Sequence, residues 1–181
     1  MATTTWVLDP THSEVQFKIK HLVISTVTGS FKKFEGKAVT ENDTFENAQV
    51  TFALDVASID TNQEQRDEHL RNNDFFDAAT YPQITFTSTS LTKKGDNYQL
   101  AGNLTVKDVT KPVTLDVEFG GTATDFYGNE KAGFEVTGKI NRKEFGLTFH
   151  AVTEAGSIVL GDDVKLFANV QFIKQKEEVL A

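Results

Sequence analysis

The chain has 181 residues, no cysteine and a net charge of −8. A chain of this length buries roughly 70% of its unfolded surface as one domain, here residues 1–181, and needs no disulfide or metal to hold it. The lack of cysteine excludes thiolate metal sites, disulfide frameworks and cysteine nucleophiles, and the acidic balance repels nucleic acid and anionic lipid headgroups.

No segment approaches the ~18 consecutive apolar residues of a membrane helix. The start, Met1 to Trp6, lacks a charged stretch followed by an apolar run. The expected location is therefore cytoplasmic as the chain is written, and periplasmic if a leader has been removed. The aromatic balance is skewed: 15 Phe against 3 Tyr and 1 Trp. Phe brings neither a hydrogen-bonding handle nor acid–base chemistry, so such a domain is tightly packed or lined around an apolar guest.

Strict alternation dominates the chain and marks strands with one buried face. Val15, Phe17 and Ile19 open the series. A strand is predicted next from Thr28 to Thr40, where Gly29 and Gly36 flank Phe31 and Phe34 and point to a bulge or barrel corner. Val50, Phe52, Leu54 and Val56 alternate next. Thr61 to Glu64 then reads as a capping box opening a short, polar helix from Asn62 to about Asn72. Its one large aliphatic residue, Leu70, predicts a surface helix that acts as a lid or plug. Strands resume at Gln83 to Leu91, then with Tyr98 to Val106, Val113 to Phe119, Phe134 to Ile140 and Val164 to Phe172. Turn signals such as Lys94-Gly95-Asp96-Asn97 and Tyr127-Gly128-Asn129 separate them. Glu144 to Asp163 reads as a second rim loop. About eight antiparallel strands close into a barrel or stack as a sandwich; closure removes exposed edges and leaves room for one small ligand.

Few residues in the chain form a pattern that carries chemistry. His12, His21, His69 and His150 show no metal-binding spacing, and no GxSxG, GxGxxG or phosphate loop occurs. No catalytic residue, metal site or cofactor is assigned. The ionisable cluster Arg66-Asp67-Glu68-His69 lies on the predicted helix, with Asp67 and Arg71 spaced to pair. Arg142 ends a strand, from where it reaches toward an acid such as Asp67 or Asp74. These groups pin the helix to the rim or hold a ligand headgroup.

Several segments together resemble the YceI-like family of polyisoprenoid-binding proteins. They are Trp6-Val7-Leu8-Asp9-Pro10-Thr11-His12-Ser13, Gly29-Ser30-Phe31-Lys32-Lys33-Phe34-Glu35-Gly36, Arg66-Asp67-Glu68-His69-Leu70, Asp74-Phe75-Phe76-Asp77, Tyr81-Pro82-Gln83-Ile84-Thr85-Phe86, Gly102-Asn103-Leu104-Thr105, and Asn141-Arg142 with Phe145-Gly146. The likeness runs in order over nearly the whole chain, up to Gln175. It implies an all-β, eight-stranded antiparallel up-and-down barrel, lipocalin-like, with one short helix at a barrel end. It also implies a long-chain lipid or isoprenoid ligand and a homodimer. The Gly-x-Trp signature of true lipocalins is absent.

The expected ligand-binding residues face inward: Val15, Phe17, Ile19, Phe31, Phe52, Leu54, Phe86, Leu104, Val106, Leu115, Val117, Phe134, Val136, Leu166 and Val170. Rim or headgroup candidates are Arg66, Asp67, His69 and Arg142. Strands of about 10 residues make a slot roughly 33 Å long. Burying about 14 methylenes contributes roughly 11 kcal/mol gross, enough for micromolar to nanomolar affinity after the ordering costs. The expected function is non-enzymatic binding, storage or transport of such a chain. An enzyme acting on an apolar substrate, or a filled barrel serving protein association, stay open at this point.

Overall fold

Each period-two segment forms a strand, and sequential strands pair antiparallel all the way round. The computed structural model describes residues 3–22, 24–41, 44–147 and 160–175. The strands are β1 (Thr3–Leu8), β2 (Glu14–His21), β3 (Ser25–Phe31), β4 (Phe34–Glu41), β5 (Thr44–Asp55), β6 (Ile59–Asp60), β7 (Gln83–Lys94), β8 (Asn97–Val106), β9 (Val109–Thr124), β10 (Glu130–Asn141) and β11 (Leu160–Lys174). The helix α1 (Glu64–Arg71) lies between β6 and β7.

The eleven strands make eight staves, because β1 with β2, β3 with β4, and β5 with β6 are each one stave interrupted by a kink. The ring closes where β11 pairs with β2 over Leu160–Asn169 and with β1 over Phe172–Lys174. The result is a closed, eight-stave antiparallel up-and-down barrel with one helix, as the alternation and the family resemblance predict. The sandwich alternative falls, since a sandwich would leave β1 and β11 as edges. The stretch from Thr28 to Thr40 is not one strand: it breaks at Lys32-Lys33, and inward-facing positions switch from odd to even across the break.

The kink in the first stave is built by Asp9-Pro10-Thr11-His12-Ser13. Pro10–His12 form one turn of 3₁₀ helix, with Asp9 at its N-cap. The Asp9 carboxylate accepts from the Thr11 amide at 3.0 Å and hydroxyl at 2.7 Å. It also meets His12 Nδ1 at 2.9 Å and Lys131 Nζ at 3.0 Å. The Ser13 hydroxyl donates to the Asp9 carbonyl and accepts from the Gln171 amide. Burial by itself would raise the Asp9 carboxyl, but the hydrogen bonds from Thr11, His12 and Lys131 outweigh it and hold the group well below the usual carboxylate range.

Gly29 and Gly36 serve close packing instead of a bulge. The pairing of β2 with β3 runs through Gly29 without a shift. A Cβ at Gly29 would lie 2.2 Å from the Phe17 ring, so the missing side chain is what lets that ring lie flat on the wall. Gly102 plays the same part for Phe86, whose ring would be 2.5 Å from an added Cβ, with the Thr87 carbonyl oxygen also at 2.5 Å.

The two barrel ends differ. One carries only hairpin turns and is filled by aromatic side chains. Phe45 sits at the centre, with ring centroids 5.2 Å from Trp6, 5.4 Å from Phe119 and 5.2 Å from Phe134. The other end carries the long connections, including α1 and a 3₁₀ turn over Arg142–Phe145. Most of the predicted second rim loop, residues 148–159, lies outside the described residues.

Two outcomes are expected from this packing. Gly102→Ala lowers unfolding free energy by about 1–3 kcal/mol in urea titrations, because one contact is backbone and cannot rotate away. Asp9→Asn lowers it by about 2 kcal/mol at neutral pH. The folded-state pKa of Asp9 is depressed, so the wild-type advantage is full above the unfolded carboxyl pKa of about 3.9 and fades as pH falls below it. Thermal melts of both proteins between pH 2.5 and 8 check this.

Candidate functional site

The barrel encloses a cavity of about 330 Å³, within the range of sites for small organic ligands, roughly 300–1,000 Å³. All fifteen residues named above as inward-facing candidates line it. The alternation places them there: every second side chain of a stave points to the axis. Of the four rim candidates, the cavity wall includes Arg66 and Arg142, while Asp67 and His69 lie outside it.

The cavity has residues that periodicity missed, and the reason is local. Phe45 forms its floor, yet it is out of phase with Val50, Phe52 and Leu54. Asn47 adopts a left-handed φ of 65°, and the pairing of β5 with β4 shifts there. That bulge turns Phe45 inward, while Ala48 stays in phase with Val50. Leu91 is out of phase with Phe86 in the same way, because β7 shifts register between Ser88 and Ser90. The signal available was a polar Asn and a serine-threonine run in mid-strand. Leu70, Phe75 and Phe76 from the helical connection also line the cavity.

The two bulges face each other, and β5 and β7 stop pairing beyond Thr51 and Thr87. The Val50 amide instead donates to the Ser88 hydroxyl at 2.8 Å. A polar recess of about 310 Å³ lies outside this seam, bordered by Asn47, Gln49 and Thr87 to Ser90.

The polar lining of the main cavity is short: Gln16, His21, Thr61, Arg66 and Arg142. All but Gln16 belong to the helix end. Thr61 and Asp67 are both buried, each 3% exposed. The Thr61 amide donates to Asp67 Oδ1 at 2.9 Å, and its hydroxyl donates to the same oxygen. Arg66 in turn donates from Nε to the Thr61 hydroxyl oxygen at 2.7 Å and from Nη2 to the Thr61 carbonyl at 2.5 Å. Asp67 therefore fixes Thr61, and Thr61 fixes Arg66.

This network overturns three local expectations. Thr61 does not cap the helix: α1 begins at Glu64, its N-cap is Gln63, and no side chain caps it. The Thr61 hydroxyl donates to Asp67 while its oxygen accepts from Arg66 Nε, and Asn62 with φ 67° turns the chain before the helix starts. Asp67 does not pair with Arg71, whose guanidinium instead meets Glu64 at 3.2 Å and the Ala57 carbonyl at 3.1 Å. Arg142 does not bridge to Asp67 or Asp74. It is 2% exposed and donates to the carbonyls of Gly161 at 2.8 Å and Leu147 at 2.6 Å, pinning the rim backbone. Burial lowers the affinity of its guanidinium for the proton, with Asp162 opposing the shift. His69 faces out and meets Asp74 at 2.9 Å and the Phe75 ring edge-on at 5.1 Å.

A closed eight-stave barrel with an apolar cavity, one end filled and the other carrying a helix, defines a lipocalin-like cavity protein. The chain belongs to the YceI-like family, whose domain matches residues 6–172. It is 40% identical over 165 residues to Protein YceI of Salmonella newport, covering 91% of this chain and 83% of that protein. The Campylobacter jejuni YCEI protein is 36% identical, superimposes with a TM-score of 0.74, and covers 88% of this chain and 91% of its own. Burkholderia cenocepacia BcnA shares the fold at TM-score 0.77 and 24% identity, over 91% and 98% of the two chains. A polyisoprenoid binding domain from Saccharophagus degradans shares it at TM-score 0.65 and 16% identity, over 94% and 98%.

Two rim residues are expected to differ sharply in what they contribute to stability. Asp67→Ala removes the acceptor for two buried Thr61 donors and costs about 2–3 kcal/mol. At about 2–4 °C per kcal/mol the melting temperature falls by roughly 4–12 °C. His69→Ala breaks an exposed ion-pair contact with Asp74 and an edge-on contact with Phe75 and costs less than about 1 kcal/mol. Calorimetry on the two variants checks the contrast.

Proposed function

We propose that this protein binds one long apolar or amphiphilic chain, an isoprenoid or acyl lipid, inside the barrel and does no chemistry on it. The observation that carries this reading is the cavity: about 330 Å³, walled by apolar side chains from every stave. The few polar lining groups other than Gln16 sit at one end, and those of Thr61, Arg66 and Arg142 are engaged in bonds that hold the rim. Membership of the YceI-like family and the shared fold of a polyisoprenoid binding domain support it. Dispersion and hydrophobic burial supply the affinity and are non-directional, so the wall reads chain length and girth more than chain chemistry. Storage or transport then amounts to shielding the chain from water.

Native mass spectrometry of the purified protein, with solvent extraction of what it releases, is the test. A stoichiometric long-chain species is expected. A protein that is isolated empty and fails to take up the apolar dye 1-N-phenylnaphthylamine, a quinone or a fatty acid would overturn the reading. Val136→Trp fills the cavity from β10 and should weaken dye binding at least tenfold while the protein stays folded by circular dichroism.

A further inference from the structure

The helix end of the cavity brings a cation to a wall that is otherwise apolar, and Arg66 is that cation. Its guanidinium has five N–H donors. Two of them, on Nε and Nη2, are spent on Thr61, which leaves three. No carboxylate among the described residues forms an ion pair with Arg66. Asp67, its neighbour in sequence, is turned away to hold Thr61. Arg66 is half-buried, and it shares the cavity wall with Leu70, Phe75 and Phe76. The guanidinium is thus held along its Nε–Nη2 side, and three donors remain on a residue of the cavity wall.

Resting on the cavity reading above, we propose that Arg66 is the headgroup contact and that the preferred ligand is a long chain ending in an oxyanion, a carboxylate or a phosphate. Three features lead there. The remaining donors form a planar fork, which suits two oxygens of one acidic group. The apolar surroundings lower the local dielectric, so a charge-assisted bond counts for more here than at an open surface. Thr61 and Asp67 fix the guanidinium beforehand, so little side-chain freedom is lost when the headgroup arrives. Arg142 differs in burial: it is 2% exposed and held between the rim carbonyls of Gly161 and Leu147, whereas Arg66 is half-buried.

The net charge of −8 opposes anions at a distance. That repulsion is screened beyond about 8 Å at physiological ionic strength, so it slows the approach of an anion more than it weakens the contact at Arg66. An alcohol head of the same chain length accepts only one bond and carries no charge. The wall then supplies its affinity and Arg66 adds little.

Displacement of 1-N-phenylnaphthylamine by hexadecanoate, hexadecyl phosphate and hexadecan-1-ol tests this on the wild-type protein and on Arg66→Gln. All three share one chain and differ only in the head, and the arms tell carboxylate from phosphate. On the wild type, at least one anion is expected to bind about tenfold or more tightly than the alcohol. On Arg66→Gln the alcohol is expected to bind as before, with the preference for the anion gone. Equal affinities for all three on the wild type, or an anion preference that survives in Arg66→Gln, would overturn the assignment of Arg66 and leave the cavity reading standing. Failure of all three to displace dye, or of the dye to bind, would overturn both. If Arg66→Gln does not fold, Arg66→Lys takes its place: it keeps one charge and loses the fork, so a reduced anion preference supports the assignment and an unchanged one overturns it.

Discussion

The barrel depends on the seam where β11 meets the first stave. β11 pairs with β10 along one side, and along the other it must meet both β1 and β2. The registers of those two strands on β11 differ by three residues, and the Asp9–Ser13 kink absorbs the offset. Asp9 concentrates the bonds that make this possible, reaching Lys131 on β10 across the width of β11. Without the seam, β1 and β11 would be open edges, and the apolar interior would face water instead of enclosing a cavity.

Closure explains the division of labour between the two ends. An eight-stave barrel is narrow enough for side chains to fill it. Bulky rings clustered at the hairpin end do so, with Phe45 meeting three others there. Farther along the axis, Gly29, Gly102 and Gly138 let Phe17, Phe86 and Leu115 lie against the wall instead of meeting at the axis. Space remains in that stretch. The helix end has the longest connections, so polar groups satisfied by backbone gather there, as Thr61, Asp67 and Arg142 do.

A headgroup contact on α1 fits this arrangement. The apolar wall attracts any long chain with little discrimination, and selectivity is confined to the few atoms at the rim whose bonding capacity the fold has not consumed. Arg142 is buried between two carbonyls of the rim backbone, whereas Arg66 is half-buried and bound to Thr61. On the proposal made for Arg66, the same residue type at two places on one rim does two jobs because of its burial and its neighbours.

The sequence by itself determined the period of two, and with it the strand count, the antiparallel order and the fifteen inward-facing side chains. Those follow from a local rule: in a strand, alternate residues share a face. The short polar helix was also legible, through its lack of apolar residues other than Leu70. Tertiary structure decided everything that depends on a partner distant in sequence. The bulge at Asn47 flips the phase of β5 and turns Phe45 into the floor of the cavity, a choice set by pairing with β4. The break at Lys32-Lys33 flips the phase of the second stave. Thr61 has the spacing of a helix cap because Glu64 stands three residues on, but in the folded chain its hydroxyl hydrogen goes to Asp67 and its oxygen, which a cap would offer to the helix amides, accepts from Arg66 Nε. Arg142 was placed at the rim correctly, while its partners, two backbone carbonyls, are set by how the chain turns between β10 and β11. A hydrogen-bonding group in a sequence announces what it can bind, and only the closed barrel fixes which acceptor comes within reach.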